Sequence, residues 1–289
     1  MRRIALSLLL ALSALGALAA CGAALAQLPR QAALARSDKL IEQAQKLGQE
    51  GQVEAARAKV DEALRVAPDN PRARRELAMH MIAWQRPEEA VAELRRAAAL
   101  EPRDPGATKE LGEALAQLGR TVEAIVWLSK SAELDPMNGI TLAELAAQKL
   151  QAGDVAEAKT VAEKAAILAP RVPFAQACLG RAREAAGDLP GAEEALKRAL
   201  QLNPDDLSTI LTLAEMANRL GRRGEVVEYL TRAVRITPDH APGWATLGQA
   251  LLAASRPAEA ASAFARSLAL DPSNAAAREG LARARAQAR

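Results

Sequence analysis

Residues 105–138 read PGATKELGEALAQLGRTVEAIVWLSKSAELDPMN, and the landmarks of this 34-residue stretch return six more times along the chain. Proline stands at 68, 102, 136, 170, 204, 238 and 272, each 34 residues after the last. Residues 37–274 are therefore seven copies of one structural unit with no insertion between them.

Counting each copy from its own first residue, position 7 is leucine from Leu77 to Leu247, and position 8 alternates alanine and glycine from Ala78 to Gly248. Position 20 is Ala56, Ala90, Ala124, Ala158, Ala192, Val226 and Ala260, position 27 is alanine or serine, and position 30 runs from Val66 to Leu270 as Val, Leu or Ile. These offsets match helical periods and not the alternation of a strand. Small residues at 8, 20 and 27 mark where two helices approach to about 8–10 Å, which a larger side chain would prevent.

A break near position 15 divides each unit into two helices. Gly51, Gly119, Gly153, Gly187 and Gly221 can take the left-handed conformation that closes a helix. Gln85 and Ser255 stand there in the second and seventh copies, and in both a proline follows two residues later, Pro87 and Pro257, to start the next helix. Asn70-Pro71 and Asp104-Pro105 give a first helix its cap and start, while Asp154 and Asp188 are placed to cap second helices, and His240 is expected to be solvated in a turn.

This pattern, with runs such as Leu134-Asp135-Pro136-Met137-Asn138, resembles the tetratricopeptide repeat, whose period is also 34 residues. The resemblance covers about four fifths of the chain. It implies an all-α, right-handed solenoid of seven helix-turn-helix repeats over 37–274, followed by a capping helix over 275–289 ending in Arg283, Arg285 and Arg289. The family's aromatics are mostly absent: Trp244 keeps position 4 and Phe264 position 24, so the core is aliphatic.

Ahead of the repeats, Met1-Arg2-Arg3 precedes an uncharged stretch from Ile4 to Ala26 that reads as an export signal. Within it Leu18-Ala19-Ala20-Cys21 resembles the lipobox of bacterial lipoproteins, which implies a signal over 1–20, lipidation of Cys21, and a tether over 21–36. Gly22 is similar to the residue of lipoproteins sorted to the outer membrane. Two other readings stand beside it: cleavage at Ala24-Leu25-Ala26, giving a soluble periplasmic chain, and retention of the stretch as a membrane helix.

The formal charge of +3 falls to +1 once Arg2 and Arg3 leave with the signal, and the chain holds only three Trp, one Tyr and two Phe. Nucleic-acid binding thus lacks both an electrostatic footing and stacking platforms. There are two histidines, His80 and His240, and besides Cys21 only Cys178. His240 lies two repeats from Cys178, too far to act as its base. No HExxH, CxxC or Gly-rich phosphate loop is present. No catalytic residue, cofactor or metal is expected.

What is left is surface. Positions 2, 5, 9 and 12 share one face of each first helix, which in a stack of helix pairs lines the concave side. In the resembled family those positions commonly bind an extended or helical peptide. Here they give Arg72, Arg75, Met79 and Ile82; Lys109 and Glu113; Ile140, Ala147 and Leu150; Phe174, Ala177 and Arg181; and Leu211, Glu215 and Asn218. The family's carboxylate clamp is not carried over, because Met79, Glu110, Ile140 and Glu144 stand where it needs amides and cations.

The expectation is a non-catalytic adaptor, lipid-anchored at the bacterial outer membrane and facing the periplasm, that holds a protein partner during assembly of an envelope complex such as a pilus or secretion system. A soluble periplasmic chaperone and a non-catalytic subunit of an enzyme complex are the other readings. Position 11, apolar in most copies, is Lys149 and Arg183 in repeats 4 and 5, and repeat 4 has Ala162 at position 24. That joint is expected to be the weakest of the stack.

Overall fold

The computed structural model describes residues 29–288. Cys21, the motif at 18–21 and the alternative cleavage site at 24–26 lie outside the described residues. A helix α1 spans 29–49. Thereafter first helices of 13 residues alternate with second helices of 14: α2 Val53–Val66, α3 Pro71–Ala83, α4 Pro87–Leu100, α5 Pro105–Gln117, α6 Thr121–Leu134, α7 Gly139–Gln151 and α8 Val155–Leu168. The series continues through α9 Pro173–Ala185, α10 Leu189–Leu202, α11 Leu207–Arg219, α12 Arg223–Ile236, α13 Ala241–Ala253, α14 Pro257–Leu270 and α15 Ala275–Gln287. Every described element is helical. The expected boundary between tether and repeats at 36/37 falls inside α1, so 29–36 extend the first helix of repeat 1, where Arg30 pairs with Asp69 at 2.5 Å.

The turn between the two helices of a repeat is set by one residue. Position 15 has positive φ in every copy: 70–88° at the five glycines, and 58° at both Gln85 and Ser255. The left-handed conformation is thus imposed by the fold even where a side chain opposes it.

Caps follow the sequence with two differences. Asn70 Oδ1 accepts from the backbone N–H groups of Arg72 and Ala73, and the Asp104 carboxylate from those of Gly106 and Ala107. Asp188 caps α10 through Gly191 N–H, but the Asp154 side chain makes no such bond at α8. His240, expected to be merely solvated, is the N-cap of α13: its Nδ1 accepts from Gly243 N–H at 3.1 Å.

Packing within a repeat turns on a size match between positions 8 and 24. A Cβ on Gly112 would stand 2.7 Å from Leu128 Cγ, and one on Gly180 2.5 Å from Leu196 Cγ; Gly248 has the Phe264 ring 2.8 Å from that point. The large partner at 24 fills the space that the missing methyl leaves, as close-packed interiors require. In repeat 4 the pair is Ala146 and Ala162, both buried. At the C-terminal end α15 sets Gly280 against the Phe264 ring, where a Cβ would collide with it, and Ala277 and Ala284 close the last core as the expected capping helix.

Four of the side chains at position 4, the retained Trp244 among them, make a contact that the sequence did not announce. Side chains there donate to the proline carbonyl of the preceding repeat: Arg74 to Pro68, Gln176 to Pro170, Trp244 to Pro238 and Arg278 to Pro272, at 2.5–3.4 Å. The turn after each second helix would otherwise leave that carbonyl to solvent.

The helices form two compact units that divide between Asp135 and Pro136. The joint marked as weakest, between repeats 4 and 5, lies inside the second unit.

Candidate partner-binding faces

In the first unit the proposed face belongs to α3 and α5, and most of its charge is already committed within the chain. Arg75 donates through Nε and Nη2 to both oxygens of Glu110, at 2.7 and 2.5 Å, and through Nη1 to Asp104 Oδ2 at 2.8 Å. Its hydrogen bonds to Glu110 hold the guanidinium above its ordinary pKa against the opposing effect of burial. Such a bidentate pair fixes geometry as well as charge, so Arg75 is a brace between repeats 2 and 3. Lys109 and Glu113 pair with each other at 2.6 Å, one helical turn apart, and Arg72 lies 3.5 Å from Asp38. Met79 is 56 % exposed, while Ile82 packs against the core around Leu94 and Leu115.

In the second unit the same helical positions present apolar surface. Ile140, Phe174 and Leu211 are 44, 40 and 44 % exposed, on three successive first helices. Phe174 and Arg181 wall a groove of about 530 Å3 between α9 and α11, with Thr212 opposite and Leu196 in its floor. Ala177 is itself buried and forms part of that floor. A second groove of about 470 Å3 lies between α11 and α13, with Leu211, Glu215 and Asn218 facing Gln249 over Val226 and Leu230. Both volumes fall in the range of roughly 300–1,000 Å3 that ligand sites occupy. Ala147 and Leu150 are half-buried and line neither groove.

Groups with chemical potential are placed for structure. Cys178 is a buried free thiol, and burial pushes its pKa up, partly opposed by the Arg181 guanidinium 3.7 Å from Sγ. A protonated thiol is a poor nucleophile. His80 stacks on Trp84 with ring centroids 5.6 Å apart, and Arg57 lies 4.4 Å from a ring of the same Trp84. Among the described residues no three His, Cys, Asp or Glu side chains gather as metal ligands would, and no helix is long and apolar enough to cross a membrane.

Two family models described as tetratricopeptide repeat match the chain, one over residues 49–105 and 183–251, the other over 85–138, 144–207 and 246–289, which is more than half of its length. The chain belongs to the tetratricopeptide-repeat family. Tetratricopeptide repeats are protein–protein interaction scaffolds, and that is the class of function this chain carries. No curated protein sequence matches it.

Solved tetratricopeptide-repeat structures share the fold at low identity. The Cut9-Hcn1 hetero-tetramer of the APC/C aligns with a TM-score of 0.63 at 18 % identity over 78 % of this chain, which spans 45 % of that one. PilF of Pseudomonas aeruginosa aligns with a TM-score of 0.62 at 22 % identity, over 72 % of this chain and 94 % of that one. PilW, a widely conserved type IV pilus biogenesis factor, gives 0.63 at 21 %, over 70 and 94 %.

The residues that sequence reading missed in these tetratricopeptide repeats are the groove floors, Leu196, Val226 and Leu230, which come from second helices. It also missed Gln249 in repeat 7. Gln249 sits at position 9 and was accessible to the same positional rule.

Proposed function

We propose that this chain is a non-catalytic adaptor anchored at a bacterial envelope membrane through a lipid on Cys21, and that its first-helix grooves hold an extended segment of a partner during assembly of an envelope complex such as a pilus or secretion system. The observation that carries the reading is that Phe174 and Leu211, on successive first helices, are left exposed and each lines a groove, with Ile140 exposed on the first helix before them. Isolated apolar residues on a surface need no explanation, but a series beside concavities is the usual mark of a binding face. Asn218 and Gln249 add amide groups on opposite walls, which suit the alternating donors and acceptors of a peptide backbone. The envelope setting is supported by the 18–21 motif and by the likeness to PilW, a type IV pilus biogenesis factor.

The test is recovery of partners from detergent-solubilised membranes with the wild-type chain and with a Phe174→Asp, Leu211→Asp double variant. A protein held by the first and lost by the second, at unchanged helix content, is the expected result. A set of bound proteins identical for both would move the partner away from these grooves.

A further inference from the structure

In the second unit the groove between α9 and α11 carries a charge that the chain leaves unanswered. Arg181 lies half-buried on its α9 wall. Among the described residues the guanidinium makes no ion pair, and its one hydrogen-bond contact runs from Nη2 to Cys178 Sγ at 3.7 Å. A thiol sulfur is a weak acceptor, and a guanidinium has five N–H donors to satisfy. A cation drawn part-way out of water without acceptors to replace it carries a desolvation penalty, and a carboxylate relieves that best because its two oxygens match the planar fork.

The repeat itself explains why no carboxylate of the chain does this. Position 6 of the first helix is Glu42, Glu76, Glu110 and Glu144 in the first four copies, and Glu110 is the residue that braces Arg75. In the last three copies it is Cys178, Thr212 and Thr246. The α11 wall across from Arg181 accordingly presents Ser208, Thr209 and Thr212, all neutral. Among the described residues the one acid lining the groove is Asp206, and it is committed to the start of α11: Oδ1 accepts from Ser208 N–H at 3.2 Å and Oδ2 from the Thr209 hydroxyl. The neighbouring groove between α11 and α13 favours neither sign, since Glu215 and Arg223 both line it.

Phe174, the exposed apolar side chain of the same wall, precedes Arg181 by two helical turns on one face of α9, about 10 Å along the axis. We propose that the partner segment seats an acidic side chain on Arg181 and packs an apolar side chain on Phe174, the two being about three residues apart because an extended chain advances about 3.3 Å per residue. This rests on the reading that the first-helix grooves hold an extended segment of a partner, and it adds a charge sign and a spacing to that segment.

A displayed library of short random peptides, panned on the full chain in detergent, tests this without a partner in hand. Enriched sequences are expected to carry Asp or Glu about three residues from an aromatic or aliphatic residue. The most enriched peptide, synthesised and titrated, should bind Arg181→Glu about tenfold or more weakly than wild type at unchanged helix content. Replacing its acid by Lys should reverse the order of the two affinities. Arg181→Gln only removes the charge, and panning on it should lose the acidic preference even if the charge reversal disturbs the helix. Enriched peptides without an acid, or an acidic peptide that binds Arg181→Gln as tightly as wild type, would overturn the proposal; if those peptides are still lost to Phe174→Asp, the groove reading stands without it. A library from which nothing is enriched, or peptides indifferent to Phe174→Asp as well, would overturn both.

Discussion

Asn70 Nδ2 donates to Ser37 Oγ at 2.8 Å, and the hydroxyl passes the bond on to the Ala63 carbonyl at 2.9 Å. The same amide donates to Asp38 at 3.0 Å while its oxygen caps α3. One buried side chain thus ties the start of repeat 2 to both helices of repeat 1. Asn70→Ala removes a helix cap, worth about 1 kcal/mol, and leaves a buried hydroxyl one bond short, about 1–2 kcal/mol more. Thermal unfolding should show a loss of about 2–3 kcal/mol in the first unit, and a change within error would mean that solvent replaces the network at no cost.

Gln85 and Ser255 take the left-handed conformation that glycine takes in the other five repeats. The strain of such a conformation is about 1–2 kcal/mol for a residue with a Cβ, and glycine gives back part of it through unfolded-chain entropy. Gln85→Gly and Ser255→Gly are each expected to stabilise the chain by about 0.5–1 kcal/mol in urea unfolding, while Gly153→Ala should destabilise it. The opposite sign at either pair would show that the side chains of Gln85 and Ser255 contribute contacts outweighing the strain.

These two predictions mark how far the sequence could be read. Period, helix pairing, position 15 and the capping helix were all legible, because the constraints behind them are local and recur at fixed spacing. The bonds from position 4 to the preceding proline carbonyl were not, since Arg74, Gln176 and Trp244 have no property in common except an N–H donor. At the candidate site, Phe174, Arg181, Leu211, Glu215 and Asn218 line the two first-helix grooves. Arg75 was read as open surface, but its partner Glu110 lies 35 residues away on the next repeat, a pairing that depends on how one helix sits over another.

Glu193 accepts from Lys197 Nζ on its own helix at 2.6 Å and from Arg222 of the next repeat at 2.9 Å. The Lys197 hydrogen bond, with Arg222 in support, holds its carboxyl below the usual 4.5. A lowered folded-state value means stability that is present above the unfolded pKa and is lost as pH falls through the folded one. Glu193→Gln should therefore be less stable than wild type at pH 7 and equal to it near pH 3. The difference should also shrink in molar salt, because both partners are substantially exposed. A difference independent of pH would assign the role of Glu193 to packing of its methylenes.

The joint between repeats 4 and 5 should be the first part of the second unit to open. Its buried cluster is Ala146, Ala162, Ala166, Leu179, Ala182 and Ala195, five of six being alanine, whereas the cluster of repeats 6 and 7 includes Leu230, Leu247, Leu251 and Phe264. Each large aliphatic side chain absent from a core forgoes on the order of 2 kcal/mol of burial, and stability in a repeat array is close to a sum of unit and junction contributions. Lys149 stands where four of the other repeats put leucine or methionine, and pairs at 2.5 Å with an exposed Glu157. An ion pair of that kind is worth little in water, so it does not restore the missing burial. Amides of residues 145–185 should exchange with solvent before those of repeat 6, and Lys149→Leu should add about 1 kcal/mol there, slowing their exchange about fivefold. Equal protection across repeats 4 to 6, with no response to Lys149→Leu, would mean that alanine packing at this joint is as strong as the aliphatic packing beyond it.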